Sequence, residues 1–209
     1  MTRDLPQEVA DSRFHGNDRY NIMTHLAILG STNGTDMIAI YNAIQSGELN
    51  AVIDIVISNK PNAGILEKAK NWGFNYKYIE PASSRTEFDQ QVLSELQKYP
   101  IDLVLLIGYM RIVSPILVNA YKNKILNVHP SLLPKFAGGM DTDVHADVII
   151  AGETETGCTI HIVDEGVDTG PIVLQKKCAV LPADTPETLK QKVQKLEGEA
   201  LIEVIKQFS

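Results

Sequence analysis

Cysteine is scarce, with only Cys158 and Cys178 in 209 residues. They form no C-x-x-C pair, so neither a disulfide framework nor a four-cysteine zinc site can be built, and a reducing cytoplasm is the expected compartment. Long apolar runs are also missing. Stretches such as Leu103 to Ile107 and Val148 to Ala151 fall well short of the roughly 18 residues needed to cross a bilayer. No apolar h-region follows Met1, which speaks against a secretory signal. Positive charge is not in excess: 19 basic against 26 acidic side chains leave a net charge of −7. Without a Lys/Arg stripe, a bulk nucleic-acid surface is disfavoured, and any anionic ligand must be held by local geometry. What is present is a hydrophobic share of 44% and a charged share of 22%, the composition of a globular chain with one core.

Residues 1–24 mix charge, Gly, Asn and Pro without periodicity and read as a disordered extension ahead of the domain. Met23 stands just before the first strand, so a start there would still give a compact domain. From His25 onward, short apolar runs alternate with amphipathic segments. HLAIL, AVIDIVI, the stretch Tyr76 to Ile79, IDLVLLI and KILNV are expected strands, interleaved with expected helices near 37–45, 62–72, 85–97 and 115–121. After a Pro- and Gly-rich loop come a helix near 144–151, two β-patterned runs at 157–163 and 171–180, and a final helix near 186–206. Such alternation implies an α/β fold with a mainly parallel, doubly wound sheet, Rossmann-like in its N-terminal half. No repeat or linker interrupts residues 25–209, which form one expected domain.

Three constellations could carry chemistry. The turn Gly30-Ser31-Thr32-Asn33-Gly34-Thr35, between the first strand and first helix, offers backbone N–H groups and a helix N-terminus to an anion. It lacks the Gly-Lys-Ser/Thr of a Walker loop and the spacing G-x-G-x-x-G. Asp54 lies inside its strand rather than at the carboxyl end, which disfavours a nicotinamide cofactor. The bland alternative is a tight turn in which Thr35 or Asp36 simply caps a helix. In ILNVHPSLLP, alternation puts Asn127 and His129 on one face of a strand end, where an amide and an imidazole can serve a developing oxyanion. A lone strand-end histidine is otherwise more often structural. The turn DEGVDTGP, from Asp164 to Pro171, could supply a carboxylate to that histidine, bind a metal, or be a solvated loop. Its acids lack the regular spacing of a calcium loop. His145 opens an expected helix as an exposed residue, His161 faces either core or site, and His25 is taken as structural.

The runs NVHPSLLPKF, GYMRIVSP and TGCTIHIVDEGVDTGPIV resemble, in order and spacing, those of the 10-formyltetrahydrofolate-dependent formyltransferases, over about residues 25–209. The resemblance implies the formyltransferase fold and 10-formyltetrahydrofolate as co-substrate, with no metal. It implies catalytic roles for Asn127, His129 and Asp168, a phosphate loop at Gly34, Thr35 and Asp36, and a substrate contact at Glu197. On the folate side it implies Arg85, Met110, Arg111, Ile112, Val113 and Asp164. Two departures stand out: Asp36 occupies a position where the family usually has Asn, and FAGGMDTDVHADVI replaces a shorter Pro-Gly-Leu-His segment.

The implied partners are small molecules, with neither nucleic acid nor membrane, and the chain is expected as a monomer or homodimer. A branch of the family acting on methionyl-tRNA would be expected to carry a further C-terminal RNA-binding domain and a basic surface. A formyltetrahydrofolate hydrolase would need no phosphate loop and would be expected to carry an N-terminal regulatory domain. A non-catalytic nucleotide-binding module would use the turn at Gly30 alone.

Overall fold

β1 (Thr24–Leu29) is buried along almost its whole length. Leu26 and Ile28 enter one apolar cluster while Ala27 and Leu29 enter another on the opposite face. A strand covered on both sides belongs at the centre of a parallel sheet with helices above and below. The structure is a computed structural model that describes residues 23–138 and 143–208. Residues 1–22 of the expected N-terminal extension and residues 139–142 of the segment after Lys135 lie outside them, while Thr24, the expected last residue of that extension, already opens β1.

The remaining strands are β2 (Ala51–Ser58), β3 (Asn75–Tyr78), β4 (Leu103–Leu106), β5 (Ile125–His129), β6 (Glu155–Ile162) and β7 (Ile172–Ala179). They form one sheet in the order β3-β2-β1-β4-β5-β6-β7. The first five are parallel, whereas β6 pairs antiparallel with both β5 and β7. The helices are α1 (Thr35–Gln45), α2 (Gly64–Asn71), α3 (Arg85–Leu96), α4 (Pro115–Ala120), α5 (Val144–Ile150) and α6 (Pro186–Ile205). α1, α2 and α6 cover one face and α3 and α4 the other. The doubly wound α/β reading thus holds for a single domain, with element ends shifted by one or two residues. Among the described residues, no helix is long and apolar enough to cross a membrane.

α6 starts where Thr185 accepts from the Thr188 backbone and Thr188 returns the bond to the Thr185 N–H, with Pro186 next, a reciprocal cap that leaves few orphan donors. Its apolar face carries Leu189, Val193, Leu201 and Val204 into the core. Gly198 allows α6 to close on α1, since a Cβ there would lie 2.6 Å from the Ala39 Cβ. That approach brings Glu197 beside the start of α1. Gly198→Val is expected to lower stability by about 1–3 kcal/mol, the scale of overpacking. Adding Ala39→Gly should return part of the loss in a denaturant titration; no recovery would show that the two helices do not meet at this point.

Candidate active site

Because β1 sits between β2 and β4, the chain leaves the sheet in opposite directions on either side of it, and a crevice opens at the carboxyl ends of the strands. A cavity of about 800 Å³ lies there, walled by the turns after β1 and β4, the end of β5, the 164–168 turn, α5 and α6. Ser31 ties two of these walls together. Its N–H donates to the Gly108 carbonyl at 3.0 Å, its hydroxyl donates to Asn59 at 2.6 Å, and the same oxygen accepts from the Met110 N–H at 2.8 Å.

Asn127 and His129 both reach this cavity from β5, as alternation along the strand requires. His129 is 5% exposed; its Nδ1 stands 3.3 Å from Asp168 Oδ2 and its Nε2 stands 3.0 Å from the Phe136 carbonyl. Both neighbours are acceptors, so an imidazolium would satisfy both. Burial nevertheless outweighs the Asp168 charge and holds the His129 pKa below its ordinary value. Asp168 pulls it upward, but desolvation is larger. Against its own desolvation, the Asp168 carboxyl is held below the usual range by the nearby His161, the Gly138 N–H and His129. The Gly138 N–H donates to Oδ2 at 2.9 Å. Asp168 itself has φ 55°, a left-handed conformation that costs a non-glycine residue about 1 kcal/mol or more and aims this side chain at the histidines.

His161, left open between core and site in the sequence, belongs to the site. It pairs with Asn127 across β5 and β6. Its Nδ1 lies 3.0 Å from the Ile162 carbonyl and so carries a proton that it donates there, leaving Nε2 to accept from Asn127 Nδ2 at 3.1 Å. This orients the Asn127 amide and leaves its second N–H to face the cavity. His161 Nε2 is also 3.5 Å from Asp168 Oδ1.

At the first turn, Gly34 is the N-cap of α1 at φ 62° and no side chain caps the helix. The view that Thr35 or Asp36 is a cap is thereby set aside, and the first-turn N–H groups have no side-chain acceptor. A Cβ at Gly34 would strike Ile65, so glycine here serves the packing of the turn as much as an anion. Thr35 and Asp36 line the cavity. Asp36 is 8% exposed and Glu197 7% exposed, and both line the cavity. Burial pushes Asp36 up to about 6 and, with the Asp36 charge, pushes Glu197 well above the usual carboxylate range. His145 is also corrected. It is 6% exposed rather than on the surface, because α5 packs against α6 through Val144, Val148 and Leu189, and its Nδ1 has no protein partner.

On the opposite wall, Met110 and Ile112 expose apolar surface while Val113 is buried, and all three line the cavity with Arg111. The Arg111 guanidinium lies 4.0 Å above the Phe88 ring, a cation–π seat. Asp164 accepts from Gly166 N at 3.0 Å and Thr169 Oγ1 at 2.7 Å, holding the acidic turn in shape. Arg85 opens α3 as an exposed residue outside the cavity wall. His25 is structural as read, its Nδ1 standing 2.8 Å from Asp54. Among the described residues, no three His, Cys, Asp or Glu side chains are grouped to hold a metal ion.

A crevice at the switch point of a doubly wound sheet, with an amide, an imidazole and a carboxylate converging on it, defines a group-transfer enzyme of the formyl transferase class. Residues 24–205 match the formyl transferase family, and the chain belongs to it. Within that family it is similar to phosphoribosylglycinamide formyltransferases. The one from Bacillus subtilis is 36% identical over 188 residues, 89% of this chain and 95% of the relative. That of Haemophilus influenzae is 38% identical over 90% of this chain and 88% of its own length. The crystal structure of glycinamide ribonucleotide transformylase 1 from Symbiobacterium toebii superposes with a TM-score of 0.85 at 36% identity, covering 95% of this chain and 92% of that one.

In an NMR titration of the ring protons, His129 is expected to titrate below the ordinary histidine value of about 6.5. Asp168→Asn should move it lower still, since the variant removes the charge that opposes desolvation. An unchanged midpoint in the variant would show that the carboxylate does not act on this ring.

Proposed function

We propose that the chain transfers the formyl group of 10-formyltetrahydrofolate to the amine of glycinamide ribonucleotide, a step of purine biosynthesis carried out in the cytoplasm. The observation that carries this reading is the convergence of Asn127, His129 and Asp168 on one cavity, with the imidazole 3.3 Å from the carboxylate. The names of the relatives at 36–38% identity support the choice of amine substrate.

In this mechanism the amine nitrogen attacks the formyl carbon, and the carbonyl electron pair moves onto oxygen. The Asn127 N–H that faces the cavity and the protonated His129 donate to that oxyanion, where charge develops in the transition state. His129 Nε2 now bonds the Phe136 carbonyl, so the oxyanion takes over a donor that is already aimed. Negative charge on the substrate favours the imidazolium that burial opposes, and Asp168 supports it. Collapse of the intermediate expels the folate nitrogen, and the proton lost by the attacking amine passes through the same network to that nitrogen. The ribonucleotide phosphate sits at the turn of Gly34, Thr35 and Asp36, with Glu197 beside the sugar end. Met110, Arg111, Ile112, Val113 and Asp164 receive the folate. Arg85, being exposed, would meet a folate only beyond the cavity mouth.

Formyl transfer from 10-formyltetrahydrofolate to glycinamide ribonucleotide by the purified chain is the direct test, and absence of turnover would overturn the reading. Asn127→Ala is expected to lower kcat by roughly 10²-fold or more, the weight of one oxyanion donor, with KM changed much less. Asp168→Asn should lower kcat by roughly 10²-fold as well. Combining the two should give less than the product of the single losses, because both serve one transition state. Near-normal kcat in either folded single variant would remove that residue from the mechanism.

A further inference from the structure

The strip from Met110 to Val113 lines one wall of the cavity and is pinned from behind at both ends. The Met110 N–H donates to the Ser31 hydroxyl at one end, and the Ser114 N–H donates to the Asp89 carboxylate at the other. Asp89 belongs to α3 and is buried. Between these two backbone pins the strip has little fastening of its own, because Tyr109 Oη, Arg111 Nε and Ser114 Oγ are buried without a protein partner. The Arg111 guanidinium rests instead on an aromatic face, 4.0 Å from the centroid of the Phe88 ring. Phe88 precedes Asp89 on α3 and is fully buried. Resting on the function proposed above, we propose that Phe88 is a positioning residue for the co-substrate, its ring holding the Arg111 guanidinium at the place where the folate meets it.

A half-buried arginine such as Arg111 has many rotamers open to it, and fixing one of them needs a partner that offsets the lost entropy. An aromatic face attracts a cation through the ring quadrupole, most strongly where water is kept away. It also leaves the N–H groups at the edge of the planar guanidinium free to donate. A carboxylate in the same place would occupy those donors and offset the charge, whereas Phe88 orients the group without competing with a ligand. The unpartnered Nε–H is one donor kept free in this way. When only a fraction of molecules holds a binding group in place, the apparent Kd rises by the inverse of that fraction. Loss of the ring is therefore read in folate affinity. The ribonucleotide, which the reading above places at the turn of Gly34 across the cavity, should not feel it. Phe88 also packs with Val113 and Leu117 in one apolar cluster, so its replacement changes packing as well as the seat, and the test has to separate the two.

A double-mutant cycle on the full chain does so, with the Kd for tetrahydrofolate, the product form of the co-substrate, measured by calorimetry. Phe88→Leu is expected to raise this Kd roughly fivefold, the weight of one partly desolvated cation–π contact. The KM for the ribonucleotide should change by no more than about twofold, since uniform damage to the fold would move both. In an Arg111→Gln background, Phe88→Leu should change the Kd by less than about twofold, because a seat without its occupant has nothing left to hold. In the ligand-free protein, the Arg111 Nε–H proton resonance should move downfield in Phe88→Leu as the shielding by the ring is lost. Phe88→Met, which fills more of the space and likewise lacks a ring, carries the same expectations should the leucine variant lose its fold. An unchanged Kd, an unmoved Arg111 resonance, or equal losses in the two backgrounds would overturn the proposal and leave Phe88 a packing residue. Tetrahydrofolate binding to none of these proteins would overturn the folate reading and the proposal with it. Failure of formyl transfer alone, with the Kd pattern as expected, would instead overturn the reaction assignment and leave the seat of Arg111 standing.

Discussion

The site depends on the change of strand direction between β5 and β6. While the sheet is parallel, each strand delivers its carboxyl end to the crevice and its neighbour does the same. β6 runs the other way and sets His161 directly opposite Asn127. The chain then turns through 164–168 back toward β7 and carries Asp168 into the space beside both histidines. A slip of one residue in this register would turn His161 to the other face of the sheet. Asn127 would then lose the acceptor that orients its amide, even with every side chain of the site present.

Burial acts on the two halves of the cavity through the same physics with opposite results. Near β5 it disfavours a positive imidazolium and holds the His129 pKa down. At α1 it disfavours two negative carboxylates, so Asp36 and Glu197 are driven toward a state of lower charge. An anion in such a cavity would be held by local geometry and not by the overall field of a chain of net charge −7.

Local pattern in the sequence reveals the sheet because each strand carries its own apolar run and each helix its own periodicity. Asn127 and His129 are legible for the same reason, since period-2 alternation along KILNVH sets them on one face. Asp168 is visible as one acid among several, and resemblance to a family singles it out. What is hidden is whatever depends on two distant segments meeting. The role of His161 needs the β5–β6 register. The burial of His145 needs α5 to pack on α6, which the local charges around Asp143 and Asp147 do not suggest. The meeting of Asp36 and Glu197 on one cavity wall needs Gly198 to bring α6 against Ala39, and no local pattern relates one end of the domain to the other.

Ser31 sets the gauge of the cavity. Its backbone and hydroxyl bind the turn after β4 to the turn after β1, and through Asn59 to the end of β2. The walls that carry Thr35 on one side and Met110 on the other therefore behave like the jaws of a caliper locked at one opening. Spreading them would cost about 1 kcal/mol for each hydrogen bond broken, and more where a buried group is left unpaired.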